Sequence, residues 1–241
     1  MTLVDQALAE SKAGEGSRAE KVTTATFVYQ HLRRDILKGE LKPGQKLQID
    51  QVAARYSAGT NPVREALNRL SSERLVDRHE QRGFSVPQLS LDSLRELVKT
   101  RCWLEAKALE ESIANRTQAW EDNVILTYHR LSRTKVRLPE EGGDNSEWEI
   151  KHRAFHNALI AACGSSLLIN YCNEMMDHAE RYRYISMIIA TTPRRDSNEE
   201  HRLIMEATID GNVELAKEQL VNQYQTTLRL LEEQLEIVGA A

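Results

Sequence analysis

Arg101 stands where a cation is out of place. Read at helical spacing, Leu91, Leu94, Leu97, Val98, Leu104, Ala108, Leu109 and Ile113 form one apolar stripe, and Arg101 falls on it. A guanidinium carried into a core needs an anionic partner. Two partners suit the chemistry. One is Glu105, four residues on along the same helix. The other is the carboxylate of a bound small molecule, held bidentately by the planar fork. A mixed arrangement, with Glu105 orienting Arg101, accommodates both. Arg181 and Arg183 alternate with Tyr182 and Tyr184 and can either add polar lining or stand as surface groups.

A second basic set has a different setting. A helix beginning at Asn61-Pro62 carries Val63, Ala66, Leu67 and Leu70 on one face and Arg64 and Arg69 on others. Asn is expected to cap it, and Pro62 suits its start because a first-turn N–H has no partner to lose. Such a helix start, with free N–H groups and partial positive charge, accepts phosphate. Lone arginines on a helix are ordinarily just solvated, but the charge is segregated. Residues 21–90 hold 12 Lys and Arg against 7 Asp and Glu, whereas 91–241 hold 18 against 25 and 1–20 hold 2 against 4, for a net charge of -4. A basic front and an acidic back suggest that only the front meets a polyanion.

The elements that must position these groups follow from periodicity and breakers. Residues 1–20 are small, polar and charged and read as a mobile tail. A helix over 24–38 ends at Gly39, Pro43-Gly44 turns the chain, and a second helix covers 49–56. Ser57-Ala58-Gly59 separates it from the third. Two strand-like runs, 75–78 and 83–86, flank a polar tip at 79–82, and Pro87 closes the unit. Three helices followed by a two-stranded wing make a winged helix-turn-helix. Beyond Ser90 helical patterns cover 91–116, 120–137, 146–163, 166–191, 194–210 and 212–237, punctuated by Pro139, Gly142-Gly143, Pro193 and Gly211-Asn212. These predict an antiparallel bundle of six helices. The fold class is therefore mainly α, with a tail over 1–20, a winged domain over 21–88 and a helical domain over 90–238. No run approaches the roughly 18 apolar residues of a membrane span, and the start of the chain lacks the basic and apolar regions of a signal peptide. Cys102, Cys163 and Cys172 form no CxxC, which fits small buried thiols in a reducing cytoplasm.

Three segments resemble the GntR family of transcription regulators. Residues 36–47, reading Ile-Leu-Lys-Gly-Glu-Leu-Lys-Pro-Gly-Gln-Lys-Leu, look like its first-helix exit and turn. Asn61-Pro62-Val63-Arg64-Glu65-Ala66-Leu67-Asn68-Arg69-Leu70 resembles its recognition helix, and Arg82-Gly83-Phe84-Ser85-Val86 its wing. On this resemblance Thr60, Asn61 and Arg64 point into a major groove, where Arg64 can hold guanine O6 and N7. Arg69 adds charge, and Arg82 with Gly83 brings the wing tip to the backbone or minor groove. The chain departs from the family twice. Gly59-Thr60-Asn61 replaces the usual Ser-Arg-Thr, and Asp50 stands at a position that is usually basic. Its operator is expected to differ from those of close relatives.

The rest of the chain resembles the FadR-like subgroup with an FCD effector domain. The carriers are Arg101-x-x-Leu104-Glu105, Phe155-His156 with Ala158-Leu159, and Glu200-His201 followed by Ile204, Ala207, Gly211 and Asn212. Many members hold a divalent metal with an Asp, a His four residues later and two further His. The resemblance carries that set onto His152, His156, His201 and Gln223, with His152 in place of Asp and Gln223 in place of His. Residues 152 and 156 lie one helical turn apart and can face one point. Three imidazoles suit zinc or nickel, and an open position would accept a carboxylate. The alternative is that these are polar side chains hydrogen-bonded between helices.

The resemblance implies a homodimer that reads a two-fold operator and whose DNA affinity changes when a small organic acid binds near Arg101, Glu105 and Arg181. Release on binding is the commoner sense in the family, so a repressor is expected. Two other readings stay open. One is a metal-dependent enzyme built on the histidines, although no general base stands beside them and Asp177 with His178 forms no triad. The other is an architectural DNA-binding protein whose bundle only dimerises.

Overall fold

The computed structural model describes residues 23–135, 145–189 and 196–239. The expected tail, the loop at Pro139 and Gly142-Gly143, and the break at Pro193 lie outside them. Contacts divide the chain into two compact units, with the boundary between Leu89 and Ser90.

The first unit contains α1 (Thr24–Leu37), β1 (Lys46–Leu47), α2 (Ile49–Arg55), α3 (Thr60–Ser72), β2 (Asp77–His79) and β3 (Gly83–Ser85). Thr23 caps α1 by accepting from the Thr26 N–H at 3.1 Å. Val28, Leu32 and Ile36 of α1 meet Val63, Leu67 and Leu70 of α3 in a single core that also takes in Val52, Leu75, Phe84 and Val86. The wing has three strands rather than two. β3 lies between β1 and β2, antiparallel to both, with Leu47 opposite Phe84 and Arg78 opposite Phe84 on the other side. β1 is only two residues long, too short to leave a periodic signature. The expected Asn cap is also displaced. α3 starts at Thr60 with Gly59 at the N-cap, and Asn61 and Pro62 fall inside the first turn. Pro62 is tolerated there because the first four N–H groups of a helix have no intrahelical acceptor. The left-handed break before α3 falls at Ser57 (φ 52°), not at Gly59 (φ -77°).

Asp35, buried at the base of α1, ties this unit together. It accepts hydrogen bonds from Tyr56 Oη at 2.8 Å and Arg55 Nη2 at 2.7 Å, and Arg34 adds two more. Burial pushes the carboxyl up, but the bonds from Tyr56, Arg34 and Arg55 outweigh it and hold it below the ordinary carboxylate range.

The second unit is the expected helical bundle: α4 (Leu91–Ala114), α5 (Gln118–Ser132), α6 (Ser146–Ile160), α7 (Ser166–Ile189), α8 (Ser197–Ile209) and α9 (Val213–Gly239). Ser90, Thr117 and Asp196 cap α4, α5 and α8 through their side chains. α4 packs on both α7 and α9, α9 on α8, and α5 on α6. Phe155, Leu159, Met176, Ile204 and Leu220 lie in the interior. The inward stripe of α4 is more polar than its leucines suggest. Leu104 is half-buried, whereas Arg101, Glu105 and Ser112 are buried, as are Leu94, Val98, Ala108 and Leu109.

Candidate functional site

In the first unit α3 buries Val63, Ala66, Leu67 and Leu70 and thereby turns Thr60, Asn61, Arg64 and Asn68 to solvent. A helix so anchored presents its N-terminal turn and Arg64 on one free face. Arg69 also makes a contact within the protein. Its guanidinium lies 4.0 Å over the Tyr29 ring, while Tyr29 Oη donates to Glu73 at 2.8 Å. This stack ties α3 to α1, so Arg69 is held by the protein even though it is exposed.

At the wing, Gly83 has φ +85° and no heavy atom within 4 Å of where a Cβ would sit. Glycine is therefore needed for the backbone conformation rather than for space. Arg82 shares a groove of about 650 Å³ with Lys46, Asp77, His79, Phe84 and Ser85. His79 Nε2 lies 2.8 Å from Ser85 Oγ across the strand pair. Lys46 and His79 thus join Arg82 on the wing. Lys46 was missed from sequence because the β1 pairing that brings it opposite Ser85 is a tertiary contact.

The bundle holds a buried polar network. His152 and His156, one turn apart on α6, meet His201 of α8, and the candidate ligand atoms of the three all lie within 4.8 Å of one another. Ring centroids are 4.5 Å apart for His152 and His156, and 5.2 Å for His152 and His201. Trp148, one turn before His152, stacks on it at 4.5 Å. The His152 Nδ1 is buried without a hydrogen bond. Burial, followed by the neighbouring His156 and Arg183, pushes its pKa well below the ordinary histidine value. A neutral imidazole with an unengaged ring nitrogen is the form that can ligate a metal. Gln223 is buried on α9, next to Tyr224.

Arg101 adjoins this cluster. Its Nε donates to Glu105 Oε1 at 2.7 Å, and its guanidinium lies 4.0 Å over the Tyr224 ring. Burial opposes its charge, but Glu105 and Tyr224 outweigh burial and hold it charged. Tyr224 Oη donates to Glu105 Oε2 and also meets His156 Nδ1 at 3.2 Å. Arg181 is buried on α7, and Arg183 makes a two-point contact with Glu149 at 2.8 and 3.2 Å. Sequence reasoning missed Tyr224. It stands next to Gln223 on α9 and is buried with it.

Comparison with known proteins agrees with both halves. Residues 24–86 match the model for bacterial regulatory proteins of the gntR family, and residues 96–226 match that for the FCD domain. The chain belongs to the GntR family, in its FCD branch. GntR regulators similar to it include an uncharacterized HTH-type transcriptional regulator, BphR, of Paraburkholderia xenovorans, 35% identical over 90% of this chain and 87% of that protein. The HTH-type transcriptional repressor GlaR of Escherichia coli is 30% identical over 85% of this chain and 94% of its own length. Among solved structures, E. coli McbR/YncC superposes with a TM-score of 0.73 at 23% identity, over 89% of this chain and 99% of that one, which shows a shared fold. The GntR family is one of transcription regulators, not of enzymes. Among the described residues no helix is long and apolar enough to cross a membrane.

Proposed function

We propose that this GntR/FCD chain is a homodimeric, cytoplasmic repressor that binds its operator through α3 and the wing and releases it when a small organic acid enters the bundle. One observation carries the sensing half. Arg101 is only 5% exposed, and its Nη2 is buried without a hydrogen-bond partner, although Glu105 satisfies Nε. A charged donor left over in a core is costly unless something accepts from it. A ligand carboxylate supplies that acceptor. Arg181, buried on α7 of the same bundle, is the second cation proposed to face it.

His152, His156 and His201 would hold a divalent metal, zinc or nickel, and Gln223 is the proposed fourth ligand. The buried, unbonded His152 nitrogen and the three clustered imidazoles fit such an ion. When bound, the ion would supply positive charge beside Arg101 and strengthen the site's preference for an anion. Gently purified protein is expected to carry about one zinc or nickel ion per chain. Elemental analysis without metal, together with calorimetry blind to added zinc and nickel, would end that reading.

On the DNA side, Arg64→Ala is expected to weaken operator binding by roughly 5- to 150-fold, the equivalent of about 1–3 kcal/mol for a bidentate base contact. The melting temperature should not move. For the regulator as a whole, a thermal-shift panel of organic and sugar acids should give at least one stabilising ligand. That acid should lower operator affinity in fluorescence anisotropy, and Arg101→Gln should abolish the response. Tight DNA binding with no responding acid would favour the architectural reading.

A further inference from the structure

We infer that Glu105 and Tyr224 form a relay that fixes the tautomer of His156, keeping a proton on Nδ1 and leaving Nε2 as the lone-pair nitrogen of the histidine cluster. The inference rests on counting protons. Tyr224 Oη has two polar neighbours, Glu105 Oε2 and His156 Nδ1, and only one hydrogen to give. Glu105 also accepts from Arg101 Nε at 2.7 Å, and both residues are almost fully buried. Protonating Glu105 would strip Arg101 of its counter-charge in a dry interior, which is the most expensive distribution available. Glu105 is therefore the carboxylate, and the phenol proton points at it.

The Tyr224 oxygen is then left to meet His156 Nδ1 with its lone pairs. At 3.2 Å this contact is a hydrogen bond only if the imidazole donates, so the His156 proton sits on Nδ1. Arg101 stacked on the Tyr224 ring holds the phenol in place. The chain Arg101–Glu105–Tyr224–His156 joins the carboxylate-binding arginine to the histidine cluster through three contacts from α4, α9 and α6. Glu105 and Tyr224 are thus positioning residues for a metal-ligating histidine, and removing such a partner typically weakens metal affinity 10- to 100-fold. The positioning role depends on the metal reading above, whereas the tautomer does not.

The test uses metal-free, full-length protein labelled with 15N at histidine. Two-bond 15N–1H spectra should show His156, assigned with His156→Gln, as the Nδ1–H tautomer. In Tyr224→Phe, which keeps the ring and its packing, the Nδ1–H preference should be lost and zinc affinity by chelator competition should fall 10- to 100-fold. An Nε2–H tautomer in the unmodified protein overturns the relay, and that result needs no variant to fold. An unchanged tautomer in Tyr224→Phe overturns it equally. Unchanged zinc affinity in that variant overturns the positioning role. If the unmodified protein binds no zinc, the metal reading and the positioning role fall together, and the spectra still decide the tautomer.

Discussion

Glu105→Ala is expected to destabilise the bundle by about 3–5 kcal/mol, because it leaves the Arg101 guanidinium buried without a counter-charge. Urea denaturation followed by circular dichroism would read the loss as a lower midpoint with an unchanged slope. The size of the effect does not mean that the ion pair itself stabilises the fold by that amount. Each charge lost its hydration on burial, and their attraction offsets that cost only while both are present. The double variant Arg101→Met with Glu105→Leu, which removes both charges and restores apolar volume, is therefore expected to recover most of the stability. A double variant as unstable as Glu105→Ala would mean that the loss comes from packing around Tyr224 and not from an orphaned cation. The same double variant should be unresponsive to every acid that stabilises the natural protein, which separates what the pair does for folding from what Arg101 does for binding.

The second large effect is expected at Asp35. Asp35→Asn removes the charge that receives Tyr56, Arg55 and Arg34, and it should destabilise the winged unit by about 2–3 kcal/mol. The loss is smaller than at Glu105 because Arg34 and Arg55 are half exposed and regain water when their partner goes. Asp35 also sets a pH dependence. Its pKa is lower folded than unfolded, so its contribution is complete above the ordinary carboxylate value and disappears as pH falls through the lower folded value. Acid unfolding of the winged unit in natural protein should therefore steepen in that range, and Asp35→Asn should flatten it. A variant that melts with an unchanged acid profile would show that another carboxylate dominates.

The sequence disclosed these two sites unevenly, and the reasons are physical. α3 was legible because Val63, Ala66, Leu67 and Leu70 recur at the helical period and face a single core. Its start was read two residues late, since Asn61 and Pro62 are both common at helix starts while Gly59, the actual cap, offers no side-chain signal. β1 was invisible because two residues carry no alternation. In the bundle, Arg101 announced itself by lying on an apolar stripe. Glu105 is legible as the group that orients it, whereas Leu104 lies on the same apolar stripe yet is only half-buried, and the buried position next to it belongs to Glu105. Tyr224 and Asp35 gave no local signal at all. Glu105, which accepts from Tyr224, and Tyr56, which donates to Asp35, stand 119 and 21 residues away respectively, and such pairings are created only by the fold.

The stacking of Trp148 on His152 has a practical side. All three tryptophans of the chain, Trp103, Trp120 and Trp148, lie in the bundle, so light absorbed selectively by indole is blind to the winged unit. Trp103 is 64% exposed, and Trp120 has its Nε1 fixed on the Ala158 carbonyl at 2.7 Å. Trp148 alone is in ring contact with the histidine cluster, face to face with His152 at 4.5 Å. The bundle thus carries an intrinsic chromophore seated against its own candidate metal ligands. Emission from that one indole is placed to follow whatever happens at those nitrogens without a label and without DNA in the cuvette.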